Sequence, residues 1–450
     1  MLFPSDTIVA LATPVGTSAL ALIRASGPAA STLVEKIFAR PPLPRTAQHA
    51  DYRDAQGILI DDVLFTFFSG PNSFTGEDCL EISCHGNPFI AQKILADLLT
   101  QGCRSAEPGE FSKRAFLNGR MDLSQAEAVM DLIHARSDQA LAAANQQLRG
   151  SLGRHMAELT TRLIKTLAQI EAYIDFPDED LPDENRQSID REIDILIKDT
   201  SRLLATSYYG ALLREGIKTV ILGEPNAGKS SLLNCLVGRE RALVSSEPGT
   251  TRDYLEEPII IGPYCLRLID TAGLNPVPAP LEKRGIEKSL EQTTQADLFL
   301  WVIDATRPHL DLPSAFSQRL TVKNTLVVYN KCDLSVIAPS PLPQTFPFVR
   351  ISALNATGLT ALQDVLVEMA ASFQVNIGSE VIAINARHAQ ALEQAKKCLQ
   401  AAKVKLAENS YSELLSSDLR SALESFAQIS GKIDHERVLD ELFASFCIGK

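Results

Sequence analysis

Gly223-Glu224-Pro225-Asn226-Ala227-Gly228-Lys229-Ser230 follows the apolar run Val220 to Leu222 and leads into Ser231-Leu232-Leu233. The pattern is G-x-x-x-x-G-K-S between a strand and a helix. Its glycines let backbone N–H groups wrap an anion, and the helix N-terminus faces the same point. Lys229 suits the β and γ oxygens of a nucleotide, and the Ser230 hydroxyl suits Mg2+. Strand, phosphate loop and helix in that order open an α/β domain. The apolar runs beyond it, Leu298 to Ile303 and Leu326 to Tyr329, alternate with helical segments. That alternation is the mark of a parallel sheet with crossover helices.

Further turns stand at the ends of these runs. Asp270-Thr271-Ala272-Gly273 closes Leu266 to Ile269, with Asp270 where a magnesium-water ligand belongs and Gly273 where a backbone N–H meets the γ-phosphate. Asn330-Lys331-Cys332-Asp333 closes Leu326 to Tyr329. A carboxylate there accepts from the N1–H and 2-amino group of guanine, donors that adenine lacks, so Asp333 selects GTP over ATP. Ser352-Ala353 follows Phe348 to Ile351 and offers a backbone N–H to the guanine carbonyl. Each tetrapeptide alone also reads as an ordinary strand-end turn; in this order they read as a nucleotide site. The residues assigned to GTP or GDP are Asn226, Ala227, Gly228, Lys229, Ser230, Ser231, Asp270, Thr271, Ala272, Gly273, Asn330, Lys331, Asp333, Ser352 and Ala353, with Ser245, Ser246, Glu247, Pro248, Gly249, Thr250 and Thr251 from the loop between. Ras-like enzymes place a water-orienting Gln after D-x-x-G. Here Leu274 stands there, so catalysis has to be organised differently.

The chain of 450 residues is long enough for two or three domains. Its net charge, 43 − 55 = −12, excludes nucleic-acid binding through the overall field. The eight scattered cysteines contain no C-x-x-C pair, which argues against disulfides or a zinc site and suits a reducing cytosol. Ile8 to Ile23 is apolar but is broken by Pro14 and Gly16 and has no basic leader, so neither a signal peptide nor a membrane span is expected. Cys447-Ile448-Gly449-Lys450 fits a prenylation box poorly. Leu80, Ile82 and Cys84 alternate with Cys79, Glu81 and Ser83 as in a half-buried strand. After Asn118-Gly119 the pattern turns helical, with Ser124 and Glu127 spaced as a capping box. Ile189, Ile193, Leu196, Ile197 and Leu203 form one stripe; Val438, Leu439, Leu442, Phe443 and Phe446 form another; the acidic run Asp175 to Glu184 reads as a solvated loop. The expected architecture is a segment of short strand-like runs and turns at 1–118, a helical part at 119–212, an inserted α/β domain at 213–376 and a second helical part at 377–450.

Motifs spread over the whole chain resemble one family. Asp6-Thr7-Ile8-Val9-Ala10, Ser73-Phe74-Thr75-Gly76-Glu77-Asp78, His85-Gly86, Arg114-Ala115-Phe116-Leu117-Asn118, Gln125-Ala126-Glu127-Ala128, Gly249-Thr250-Thr251-Arg252-Asp253 and Phe446-Cys447-Ile448-Gly449-Lys450 are similar to those of the MnmE (TrmE) family of tRNA wobble-uridine modification GTPases. The resemblance implies a cytoplasmic α/β protein: an N-terminal tetrahydrofolate-binding-like α+β domain that dimerises, a helical domain, and an inserted Ras-like G domain with a mostly parallel sheet. It implies a homodimer that works with the FAD protein MnmG (GidA). Together they place an aminomethyl or carboxymethylaminomethyl group on carbon 5 of the tRNA wobble uridine. The donor would be a tetrahydrofolate derivative, 5-formyl- or methylene-tetrahydrofolate.

Carried over residue by residue, the resemblance puts K+ on Asn226, Ser245, Glu247 and Thr250, and Mg2+ on Ser230 and Thr251, with Lys229, Thr251 and Glu282 catalytic. A fixed cation near the developing charge replaces an arginine finger. By position alone Glu282 reads as a solvated helix residue. The folate pocket falls on Arg24, Glu81, Arg120 and Lys450, where a carboxylate meets the pterin and cations meet the folate carboxylates; each also reads as a surface charge. Cys447 reads equally as a buried thiol. Arg104, Lys113 and Arg114, and Arg149, Arg154, Arg162 and Lys165, are the basic clusters open to RNA or to solvent. Two other functions fit: a GTPase switch in ribosome assembly, and a folate-dependent transferase regulated by its G domain.

Overall fold

The computed structural model describes residues 6–175, 183–240, 256–270, 296–308, 318–334, 346–374, 382–408 and 412–431, with Phe446 and Gly449. Two compact units emerge, one of Met1–Met130 with Phe426–Lys450, the other of Asp131–Ser425.

In the first unit, β1 (Ile8–Leu11), β2 (Leu20–Ser26), β3 (Ala47–Arg53), β4 (Leu59–Phe68), β5 (Cys79–His85) and β6 (Arg104–Ser105) form a sheet in the order β3-β4-β5-β2-β1-β6. All pairs are antiparallel except β1 with β6. The expected alternation in β5 is observed. Leu80, Ile82 and Cys84 are buried in one core with residues of α1 (Ala30–Phe38) and α2 (Pro88–Thr100), such as Leu33, Val34, Ile94 and Leu98. Glu81, Ser83 and His85 take the other face, as the two-residue period requires. Leu20 and Leu64 pair with His85 and Ser83 on that face and are 62% and 51% exposed.

Helix α3 (Glu110–Leu117) ends at Asn118 and Gly119, and α4 (Leu123–His134) follows. The cap of α4 sits two residues before the expected Ser124–Glu127 box. Asp122 Oδ1 accepts from Gln125 N at 2.8 Å, and Gln125 Oε1 accepts from Asp122 N at 2.9 Å. Ser124 and Glu127 are instead buried inside the helix. Phe446 packs against Leu123 and Ala126, and Gly431 lies against Phe116 and Leu123. Val438, Leu439, Leu442 and Phe443 fall outside the described residues.

The second unit opens with α5 (Asp138–Leu148), α6 (Ser151–Asp175) and α7 (Asp183–Glu215). Asp175 thus ends one helix, and Asp183 and Glu184 begin the next; the rest of that acidic run falls outside the described residues. The 33 residues of α7 make a rod about 50 Å long. Its buried stripe is Ile189, Ile193, Leu196 and Leu203, and α10 (Ala386–Ala407) packs along it. The sheet of this unit comprises β7 (Ile217–Leu222), β8 (Glu256–Ile261), β9 (Tyr264–Asp270), β10 (Leu298–Asp304), β11 (Thr325–Asn330) and β12 (Phe348–Arg350), in the order β12-β11-β10-β7-β9-β8. Every pair is parallel except β8 with β9. Continuous apolar strands are what a sheet buried on both faces demands, and Leu298 to Ile303 are all buried. Helices α8 (Lys229–Glu240) and α9 (Leu359–Ala371) supply Leu232, Leu236, Leu362 and Leu366 to the core on one face. Helix α11 (Ser412–Ser430) completes the described elements.

Candidate functional site

Strand β7 lies in mid-sheet, so the loop after it leaves from between β10 and β9. Gly223 makes that exit possible. Its φ is +144°, and a Cβ would stand 2.2 Å from the Val302 carbonyl oxygen. Gly228, at φ +94°, faces the same constraint from the other side, with Asn330 Nδ2 at 2.2 Å from the ideal Cβ. Between them Asn226 is exposed and takes φ +64°, a left-handed conformation that costs a non-glycine residue on the order of 1 kcal/mol or more. Helix α8 begins at Lys229, which turns its first N–H groups toward the loop. The Lys229 ammonium is nearly buried and donates to the carbonyls of Gly223 and Glu224, both at 2.9 Å. Ser230 and Ser231 stand exposed on the first turn.

Three loops are joined by one side chain. Asn330, at the end of β11, is 2% exposed. Its Nδ2 donates to the Ala227 carbonyl at 2.9 Å, and its Oδ1 accepts from Ala353 N at 3.0 Å. The phosphate loop, the Asn330 to Asp333 turn and the Ser352-Ala353 turn are thereby set against one another. The Ser352 Oγ accepts from Asn355 N at 3.2 Å, which closes the third turn. Asp333 stands exposed beyond this joint. Lys331 takes φ +65°, and its ammonium reaches back to the Asn226 carbonyl at 2.7 Å. The same ammonium pairs with Asp304 Oδ2 at 2.7 Å. Sequence reasoning missed Asp304, whose only signal is a position at the end of an apolar strand. Burial works against its charged form, but the bonds from Lys331 and Thr306 outweigh this and hold its carboxyl below the ordinary range.

Ser245, Ser246, Glu247, Pro248, Gly249, Thr250, Thr251, Thr271, Ala272, Gly273, Leu274 and Glu282 lie outside the described residues. Asp270 closes β9, although its side chain belongs with them. Asn226 offers an exposed neutral oxygen donor and Ser230 an exposed hydroxyl, donors that suit a monovalent cation and Mg2+ respectively.

A second constellation occupies the first unit. Arg24 and Glu81 are cross-strand partners on β2 and β5. Arg24 Nε and Nη2 both donate to Glu81 Oε1, at 2.9 and 2.7 Å. The guanidinium lies over Phe74 and Phe111, 5.3 and 5.8 Å from the ring centroids, and Nη1 reaches the Gly449 carbonyl at 3.4 Å. Phe74 also borders an open cavity of about 500 Å³ with Arg45, Thr66, Phe68 and Arg120. The structure therefore places Arg24 with Glu81 and Arg120 in the adjoining cavity; Lys450 and Cys447 lie outside the described residues. Arg45 went unrecognised in the sequence, because it arrives from a loop before β3 with no motif around it. Aromatic walls, one carboxylate and several guanidinium groups fit a flat, anionic ligand.

The two basic clusters differ: the arginines of the first are engaged by carboxylates, whereas Arg149, Arg154, Arg162 and Lys165 of the second are exposed. Arg114 is buried and binds Asp6, Glu77 and Glu110, while Arg104 binds Asp6 and Glu110. Burial opposes the Asp6 and Glu110 carboxylates, yet the two arginines outweigh it and hold both below their ordinary range. On α6, Arg162 pairs loosely with Asp199 at 3.5 Å, and Arg154 donates to the Arg149 carbonyl.

A family model described as the MnmE helical domain matches residues 123–447, and one described as the GTP-binding protein TrmE N-terminus matches residues 7–120. The tRNA modification GTPase MnmE of Opitutus terrae is 58% identical over 447 residues, covering 99% of each chain. The protein of that name from Akkermansia muciniphila is 43% identical over 453 residues, with 99% of each chain covered. That of Aquifex aeolicus is 39% identical over 449 residues, 99% of this chain and 100% of its own. Among solved structures, the FeoB G domain of Methanococcus jannaschii is similar over 34% of this chain and 97% of its own, at 20% identity and a TM-score of 0.26. The matches run from the first strand to the last helical segment, around a phosphate loop seated in a parallel sheet, and the chain belongs to the MnmE family.

Proposed function

We propose that this GTP hydrolase is K+-stimulated and Mg2+-dependent. With an FAD-dependent partner of the MnmG kind, it serves to install an aminomethyl or carboxymethylaminomethyl group at carbon 5 of the tRNA wobble uridine. The observation that carries the nucleotide reading is the double hydrogen bond of Asn330. It joins the phosphate loop to the turn that leaves Asp333 exposed, where the carboxylate accepts from the two donors of guanine. Lys229 exchanges two neutral carbonyls for charged phosphate oxygens, the stronger charge-assisted partners. Ser230 and Thr251 hold Mg2+, and Asn226, Ser245, Glu247 and Thr250 hold K+. When bound, K+ supplies positive charge near the phosphates, the part an arginine finger plays elsewhere. Glu282 orients water indirectly. The nucleotide rests on the residues of the four turns and of the Ser245 to Thr251 loop assigned above, from Asn226 to Ala353.

The tRNA reading rests on the family, whose members are named tRNA modification GTPases. Glu81 would receive the pterin of the one-carbon donor, a tetrahydrofolate, with Arg24 bonded to Glu81 at that same end, and Arg120 and Lys450 would receive its carboxylates. The sheet face that bears Leu20 and Leu64 supports a homodimer through the N-terminal segment. The domain plan is 1–118, 119–212, 213–376 and 377–450, and the site of action is the cytoplasm.

The test compares GTP turnover in KCl and NaCl at matched ionic strength, together with mass spectrometry of tRNA nucleosides from a deletion strain. The expected result is hydrolysis much faster in KCl, K+ stimulation lost in Asn226→Ala, and wobble uridines lacking the carbon-5 group. Equal turnover in the two salts defeats the cation site, and an unchanged nucleoside profile defeats the tRNA reading.

A further inference from the structure

The carboxylate of Asp304 divides its two oxygens between two tasks. Oδ1 accepts from the backbone N–H of Thr306 at 3.0 Å and from its hydroxyl at 2.6 Å. That local cap fixes the rotation of the carboxylate and turns Oδ2 onto the Lys331 ammonium, 2.7 Å away. Arg307, the other cation near it, lies at 3.9 Å and is mostly exposed. The pairing of β10 with β11 does not need this side chain, because the Ala305 N–H already donates to the Asn330 carbonyl at 2.9 Å. The Asp304 side chain is 11% exposed and that of Lys331 30%, so water screens their attraction only partly.

Lys331 carries the constraint onward. Its ammonium, held by Asp304, donates to the carbonyl of Asn226. Asn226 and Lys331 both sit at left-handed φ, +64° and +65°. Each such residue is strained and persists only when its surroundings over-determine it. One ammonium between two strained residues, fixed by a carboxylate on a third element, is such an over-determination. It couples the loop that receives phosphates to the turn that presents Asp333.

We propose that Asp304 is a positioning residue for guanine-nucleotide capture: it fixes Lys331, and through Lys331 the Asn226 carbonyl, so that the base-recognition turn and the phosphate loop are set together before the nucleotide arrives. The inference rests on the GTP reading above and adds to it a residue that touches no nucleotide. Pre-set loops bind tighter because less ordering remains to be done on binding.

The experiment is a titration of the full chain with a fluorescent GDP analogue, run on the unmodified protein, Asp304→Asn, Lys331→Gln and the double variant. Asp304→Asn keeps the shape and the Thr306 cap but removes the charge. It is expected to weaken GDP by about tenfold, the order for losing a charge-assisted hydrogen bond, mainly through faster release. Because Asp304 acts through Lys331, the double variant should bind no worse than Lys331→Gln alone; a merely structural part would make the two losses multiply. Thr306→Val, which removes the hydroxyl bond to the carboxylate and leaves the backbone N–H bond in place, should weaken GDP in the same direction by less. An affinity for Asp304→Asn within about twofold of the unmodified protein, or multiplied losses in the double variant, overturns the proposal. If the unmodified protein binds ADP as tightly as GDP, the GTP reading itself fails, an outcome distinct from either.

Discussion

In the proposed nucleotide site, Asp333 is assigned selectivity because of which donors it can satisfy. Replacing it with Asn turns one carboxylate oxygen into an amide donor that faces the donors of guanine. Asp333→Asn should therefore weaken GTP by about a hundredfold and favour a xanthine nucleotide, whose 2-oxygen accepts what the amide offers. Competition binding with GTP and XTP checks this, and an unchanged preference for GTP refutes it. At this scale the sequence was most legible where chemistry is local. Gly223, Gly228, Lys229, Asn330 and Asp333 were singled out because a phosphate or a base prescribes residue types at short spacings. Asp304 was not, because its partner Lys331 stands 27 residues further along, and only the parallel pairing of β10 with β11 brings them together. Arg114 was misjudged for the same reason. It stands in a cluster of cations in the sequence, yet its acidic partners Asp6 and Glu77 come from other parts of the chain.

Elements were legible as to kind and less so as to where they begin. The strands of the parallel sheet were evident from unbroken apolar runs, and β5 from its alternation. The start of α4 was misplaced by two residues because two overlapping pairs, Asp122 with Gln125 and Ser124 with Glu127, share the spacing of a capping box. The pair that caps is the one at the bend after Gly119, where the backbone leaves the turn. Asp122→Ala should accordingly destabilise the first unit by about 1 kcal/mol, the usual cost of a lost N-cap, whereas Glu127→Gln should leave the cap intact. Thermal melts of the two variants decide between them, and equal behaviour would mean that the cap contributes nothing. Arg45 and Arg120 belong to this scale as well: each comes from a connection between elements, so no periodicity announced that they would share a cavity.

At the scale of the whole molecule, the alternation of strand-rich, helical and α/β segments was readable from periodicity, since each buries its apolar residues with a different period. Mutual neutralisation of charges from distant segments was not. The knot around Arg114 has a measurable consequence. Asp6 and Glu110 have folded-state pKa values depressed below their ordinary 3.8 and 4.5. The stability they contribute is thus fully present above about pH 4.5 and is lost as pH falls through the depressed values. Arg114→Met should cost about 3 kcal/mol at neutral pH, because it takes the guanidinium from buried Glu110 and half-buried Glu77, and should flatten the loss of melting temperature on acidification. A variant with unchanged acid dependence would exclude this origin of acid sensitivity. A homodimer through the N-terminal segment predicts twice the chain mass in light scattering at micromolar concentration; the mass of one chain would refute it. Finally, the first unit is built from the two ends of the chain, with Phe446 against Leu123 and Ala126 and Gly431 against Phe116. During synthesis the ribosome must add about 300 residues between those partners, which takes roughly 15–60 s at ordinary elongation rates. For that time the early half presents an unsealed apolar seam, a natural hold for a chaperone. A message cut short before Phe446 would release a nascent chain whose seam never closes, marking it for proteolysis even though its nucleotide-binding half has already folded.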